Sequence, residues 1–149
     1  MDNLDKEILN IIQANFPIAE RPFNEIARKL GCTEMEVLSR VKSLKNERVI
    51  RRIGATFNSG SLGYTSTLCA AKVPEEKVKE FVKVVNSYQG VTHNYRRNHE
   101  YNIWFTFITP SKELLDKYLK DIAKKTGVMD IKNLPAERFF KVKVDFKFD

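Results

Sequence analysis

The strongest constraint on the fold of this chain is a change in the period of its apolar residues near residue 60. Before that point they recur at three- and four-residue spacing, which gathers them along one side of a helix. After it, stretches of alternation appear, which only a strand can sort onto one face. Three helical segments followed by a strand, helix, strand, strand, helix, strand order call for two different layered structures, and few folds satisfy both halves.

The first half, residues 1–60, reads as a winged helix-turn-helix domain. Leu4, Ile8, Ile11 and Ile12 make one helical face. Pro22 opens a second helix carrying Phe23, Ile26, Ala27 and Leu30, and Gly31 stops it. Thr33-Glu34-Met35-Glu36 has the capping-box pattern ahead of a third helix, whose Val37, Leu38, Val41 and Leu44 are expected to form a buried stripe. Val49-Ile50-Arg51-Arg52-Ile53 is expected to enter a strand or wing.

The second half, residues 61–149, has the split order of an α+β, ferredoxin-like βαββαβ domain. Tyr64 to Val73 is the first strand, and Pro74-Glu75-Glu76 starts a helix with Val78, Phe81, Val82 and Val85 inward. A hairpin follows, from Val91 to about Arg97 and from Tyr101 to about Ile108, turning at Asn98-His99-Glu100. Lys112 to Thr126 is the second helix, with Leu114, Leu115, Tyr118, Leu119 and Ile122 on its core side and Gly127 past its end. The last strand is expected where Phe140, Val142, Val144, Phe146 and Phe148 alternate with Lys141, Lys143, Asp145 and Lys147, its phenylalanines forming core or a dimer face.

A net charge of +7 invites a nucleic-acid reading, but its distribution opposes one. Residues 1–60 hold ten Lys/Arg against eight Asp/Glu, a net +2, and the rest of the chain holds sixteen against eleven, a net +5. Within the third helix Arg40, Lys42 and Lys45 are balanced by Glu34, Glu36 and Glu47, and two of the acids sit where base and phosphate contacts would begin. DNA is therefore not an expected partner. There is no run long enough to cross a membrane, and the start of the chain is polar and helix-forming rather than secretory. Cys32 and Cys69 lie far apart, without zinc or iron–sulfur spacing. A reducing cytoplasm and free thiols are expected.

The hairpin holds the only two histidines and the only tryptophan of the chain, interleaved with arginines, asparagines and tyrosines. Strand alternation puts His93, Tyr95 and Arg97 on one face, with Asn94 and Arg96 on the other. Strands favour aliphatic and β-branched residues, so a surface this polar needs a ligand, a partner or water against it.

The two-part layout resembles the Lrp/AsnC regulators, in which a winged helix-turn-helix precedes a ligand-binding, dimerising ferredoxin-like domain. The local motifs are similar, more narrowly, to the siroheme decarboxylases. These are Phe16-Pro17 with Arg21-Pro22-Phe23, Ile50-Arg51-Arg52-Ile53-Gly54-Ala55, Gly90-Val91-Thr92-His93-Asn94-Tyr95 followed by Arg97, His99 and Tyr101-Asn102-Ile103-Trp104-Phe105-Thr106, and Leu134-Pro135 before Phe140-Lys141-Val142. The resemblance implies a carboxy-lyase that removes carboxyl groups from two acetate side chains of siroheme, giving 12,18-didecarboxysiroheme in alternative heme biosynthesis. It also implies a paralogous second subunit as heterodimer partner, and no cofactor beyond the iron of the substrate.

Siroheme is flat and ringed by carboxylates, so it calls for an aromatic slot and arginines that grip carboxylates bidentately, for which Arg51, Arg52, Arg96 and Arg97 are candidates. Asn94 and Trp104 are further candidates for substrate contact, and Asn102 either fixes the hairpin or binds a carboxylate. Loss of carbon dioxide leaves electron density that a proton must quench, a task suited to histidine with its ordinary pKa of about 6.5. His93 or His99 is the expected donor, Tyr95 and Arg97 orient the acetate, and the other histidine is the candidate ligand of the siroheme iron. The rival reading is an Lrp/AsnC-type regulator that senses a small ligand, or heme, through the same sheet.

Overall fold

In the first helix, α1 (Asn3–Ala14), both ends of a capping box are present. The Asp2 carboxylate accepts from the Asp5 N–H at 3.0 Å, and the Asp5 carboxylate accepts from the Asp2 N–H at 2.9 Å. Helix α2 (Pro22–Leu30) starts on proline, whose missing N–H costs nothing there, and ends at Gly31 with φ 68°, a left-handed cap that glycine adopts freely. Helix α3 (Glu34–Asn46) starts where the Thr33 hydroxyl accepts from the Glu36 N–H at 3.2 Å.

The three helices enclose Ile8, Leu9, Ile26, Ala27, Val37, Val41, Leu44 and Ile50. Leu38 was expected in this stripe but is 42% exposed, because Val37, Val41 and Leu44 already complete one face at four- and three-residue spacing. No wing strand forms at Val49–Ile53. Ile50 turns back into the helical core, and residues 51–55 have no strand partner among the described residues.

The structure is a computed structural model and describes residues 1–138, 140–141 and 146–148. The chain divides into two units, Met1–Ala55 with Lys141–Asp149, and Thr56–Phe140. In the first unit the Gln13 carboxamide bonds both backbone groups of Phe146, accepting from its N–H at 2.7 Å and donating to its carbonyl at 2.9 Å. Asn10 donates to the Phe148 carbonyl at 3.2 Å.

The second unit is an antiparallel sheet in the order β2-β3-β1-β4, the ferredoxin-like arrangement, with two helices on one face. Its members in chain order are β1 (Thr65–Ala71), α4 (Val78–Asn86), β2 (Val91–Arg96), β3 (Ile103–Thr109), α5 (Lys112–Thr126) and β4 (Ile131–Pro135). The fourth strand corrects the expectation from sequence. It lies at Ile131–Pro135, paired with β1 from Thr67↔Pro135 to Ala71↔Ile131. Of the alternating segment expected to supply it, residues 142–145 lie outside the described residues, and Phe140, Lys141, Phe146, Lys147 and Phe148 are not in a strand.

Burial along β3 alternates without a break, with Ile103, Phe105, Phe107 and Thr109 beneath the helices and Trp104, Thr106 and Ile108 on the other side. The core between sheet and helices contains Cys69, Ala71, Phe81, Val85, Phe105, Phe107, Leu115 and Ile122. Gly90 lets β2 meet β3, since a Cβ there would lie 2.2 Å from the Ile108 carbonyl oxygen. Among the described residues no helix is long and apolar enough to cross a membrane.

Candidate active site

The face of the sheet turned away from α4 and α5 carries the hairpin cluster. The register of β2 on β3 sets Asn94↔Phe105 and Arg96↔Ile103 on the helix side, with His93↔Thr106 and Tyr95↔Trp104 on the open side. A bulge between Val91 and His93 achieves this. Val91 pairs with Phe107 and stays against the core, and the extra residue, Thr92, lets His93 point outward two positions later.

Arg97 continues the open face. Its N–H donates to the Asn102 carbonyl at 2.8 Å, closing the hairpin, and its guanidinium lies 5.3 Å from the ring centroids of both Tyr95 and Trp104. Trp104 is held by its indole N–H, which donates to the Tyr101 carbonyl at 2.7 Å. The result is an aromatic floor with a fixed cation on it. The His93 ring stands beside it, with Nδ1 3.1 Å from the Thr92 hydroxyl. Because a hydroxyl both donates and accepts, that contact survives a change in the protonation of the ring.

His99 sits on the turn, apart from the strand positions. Its Nδ1 accepts from the Tyr101 N–H at 3.1 Å, and it lines a cavity of about 430 Å³ with Arg96, Arg97, Asn98 and Asn102. Behind the turn the Tyr101 hydroxyl donates to both Asp130 oxygens, at 3.3 and 3.1 Å. The hydrogen bond from Lys132, with a further one from Tyr101, holds the Asp130 carboxyl below its ordinary range.

Five of the residues expected at the site lie off the open face, belong to the first unit or are engaged by other groups. Asn94 faces α4 and donates to the Asn86 carboxamide at 2.8 Å. Arg96, on the same side, grips Glu75 with two bonds of 2.9 and 2.7 Å, so its fork holds β2 to the segment ahead of α4. Arg51 and Arg52 belong to the first unit, where they line an apolar groove of about 670 Å³ with residues such as Ile12, Phe16 and Phe148. Asn102 is taken up by Val73, accepting from its N–H at 3.0 Å and donating to its carbonyl at 2.8 Å. Of the two uses expected for Asn102, this is the structural one. The sequence reading missed the Thr92 bulge and the Tyr101–Asp130–Lys132 group. Tyr101 stood inside the cluster, but Lys132 lies on a strand that had not been foreseen, and Asp130 lies just ahead of it.

Residues 61–141 match the family model for the AsnC-like ligand binding domain, and residues 5–51 match that for the siroheme decarboxylase NirDL-like HTH domain. Over all 149 residues the chain is 56% identical to the siroheme decarboxylase alpha subunit of Oleidesulfovibrio alaskensis, covering 90% of that protein. The crystal structure of the siroheme decarboxylase NirDL superposes with a TM-score of 0.76 at 35% identity over 99% of this chain. Its co-complex with an iron-uroporphyrin III analogue gives 0.75 at 34% identity over 97%. This chain spans about half of that longer one, 48% in both cases. With an AsnC-type sheet domain, a decarboxylase-type helix-turn-helix and a relative this similar along its whole length, the chain belongs to the siroheme decarboxylase family.

Proposed function

We propose that this chain is one subunit of a siroheme decarboxylase, acting with a paralogous second subunit to remove carboxyl groups from two acetate side chains of siroheme and give 12,18-didecarboxysiroheme. The observation that carries the reading is the open sheet face, where Arg97 lies on Tyr95 and Trp104 with His93 alongside. A flat macrocycle ringed by carboxylates finds apolar area on that floor and a preoriented fork in Arg97. The relative solved with an iron-uroporphyrin III analogue, likewise an iron-bearing tetrapyrrole, supports the assignment.

Each turnover breaks one carbon–carbon bond. The carboxylate leaves as carbon dioxide, the electron pair stays on the former methylene carbon and spreads into the macrocycle, and a proton converts that carbon to a methyl group. No net oxidation takes place, so a proton is the sole co-reactant and the only iron is the substrate's. His93 is the proton donor in this reading, since its contact to Thr92 accommodates both states of the ring. A cation on the scissile carboxylate would stabilise the ground state more than a transition state in which the charge has moved to the ring. Arg97 therefore holds a carboxylate that stays, with the Tyr95 hydroxyl orienting the acetate beside it. Cys32 and Cys69 are free thiols, which suits a reducing cytoplasm.

Anaerobic incubation with siroheme, with and without the co-expressed paralogue, tests the assignment by mass analysis. Two successive losses of carbon dioxide are expected from the pair, and unchanged siroheme in the presence of both subunits refutes it. Sedimentation of the co-expressed pair is expected to show a heterodimer, and separate monomers would refute the two-subunit arrangement.

A further inference from the structure

Asn102 sits one residue ahead of β3 and just past the last β1–β3 pair, Ala71↔Ile103. Here the two backbones part, and the Asn102 carboxamide takes the place of a backbone unit, bonding the N–H of Val73 at 3.0 Å and its carbonyl at 2.8 Å. The Asn102 carbonyl meanwhile accepts from Arg97, and Tyr101 is tied to Asp130. Residues 101 and 102 are thus anchored on both sides of the sheet end. This directs the Tyr101 N–H at His99 Nδ1, 3.1 Å away, with the two rings stacked at 6.2 Å and 24°.

A nitrogen that accepts a backbone N–H carries no proton of its own, so a neutral His99 ring has its proton on Nε2. Such a ring offers an N–H outward and no lone pair. It can bond a carboxylate, but it cannot ligate iron through Nε2 without giving up that arrangement. His93 is not constrained in this way, because its Nδ1 meets a hydroxyl.

We propose that Asn102 is a positioning residue. Through Val73 it holds the turn in which the Tyr101 N–H locks His99 as the Nε2–H tautomer, and this makes His99 a neutral donor to a substrate carboxylate rather than an iron ligand. The identity of that carboxylate rests on the siroheme reading; the tautomer does not.

Two measurements on the full chain with its co-expressed paralogue test this. In nitrogen NMR of the ring nitrogens, simplified by there being only two histidines in the chain, the parent is expected to show His99 as a single Nε2–H tautomer and Asn102→Ala as a mixture. In anaerobic absorption titrations with siroheme, Asn102→Ala and His99→Ala are each expected to raise Kd by about tenfold, the scale of one hydrogen bond. The double variant should bind no more weakly than His99→Ala alone, because the two residues act through one contact. A purely structural or independent substrate-binding role would instead give losses that add, and additive losses overturn the proposal. So does a single tautomer retained in Asn102→Ala. Asn102→Asp, which keeps the acceptor for the Val73 N–H and lacks the donor, replaces Asn102→Ala in both arms if the alanine variant does not fold. If the parent pair binds no siroheme, the siroheme reading fails with it, while the NMR arm still decides whether Asn102 positions His99.

Discussion

Replacing Arg97 by alanine separates binding from chemistry on the open face. The guanidinium meets two rings at 5.3 Å, and among the described residues no carboxylate pairs with it. An exposed cation–π contact contributes about 0.5–1 kcal/mol, so the fold loses at most about 2 kcal/mol with both. A charge-assisted bond to a substrate carboxylate contributes about 1.5–3 kcal/mol. At about 1.4 kcal/mol per factor of ten, Arg97→Ala should raise the Kd for siroheme roughly 10- to 150-fold. Arg97→Lys should fall between, because it keeps the charge and loses the planar fork. The assay is anaerobic absorption titration followed by single-turnover decarboxylation of the saturated complex, whose rate should stay close to the parent's. Unchanged affinity would refute the role given to Arg97. A rate lost at saturation with affinity intact would move it from binding into the chemical step.

Three further outcomes are expected. His93→Ala should fold normally and bind siroheme with an unaltered absorption spectrum, while the rate falls about 10²–10⁴-fold for loss of the proton donor; a changed spectrum would instead make His93 the iron ligand. DNA binding should be no tighter than a Kd of about 10⁻⁶ M at physiological salt, because Arg40 of α3 is bonded to Asp2, Asp5 and Glu36 and the helix opens on acids; a footprint at nanomolar protein would refute this. Burial pushes the Cys69 thiol up to about 12, whereas an unfolded chain ionises its thiol near about 8.5. The unfolded state then sheds the proton first as pH rises. The contribution is whole below about pH 8.5 and declines by about 1.4 kcal/mol per pH unit above it. Denaturant midpoints of the parent should fall more steeply than those of Cys69→Ala between about pH 8 and 10, and equal slopes would refute it.

The local parts of this protein were legible in its amino acids. Pro22, Gly31, Thr33 and Gly127 bound helices where they were expected to, because capping and helix stopping depend on residues within one turn. The side-by-side placement of His93, Tyr95 and Arg97 followed from alternation alone, and so did the exclusion of Asn94 and Arg96 from that face. What pairs with what over distance was not legible. The strongest alternation in the chain, Phe140 to Phe148, did not mark the fourth strand. That strand is Ile131–Pro135, a short, mostly exposed segment without alternation, whose strand character comes from lying along β1. Asn102 was ambiguous because nothing near it in sequence identifies Val73 as its partner. Arg96 resembled a substrate ligand until Glu75, brought up from ahead of α4, occupied its fork. Periodicity and caps are local properties that a few neighbouring residues determine, whereas strand partnership and the pairing of polar side chains are settled only when distant segments compete for the same backbone and the same charges.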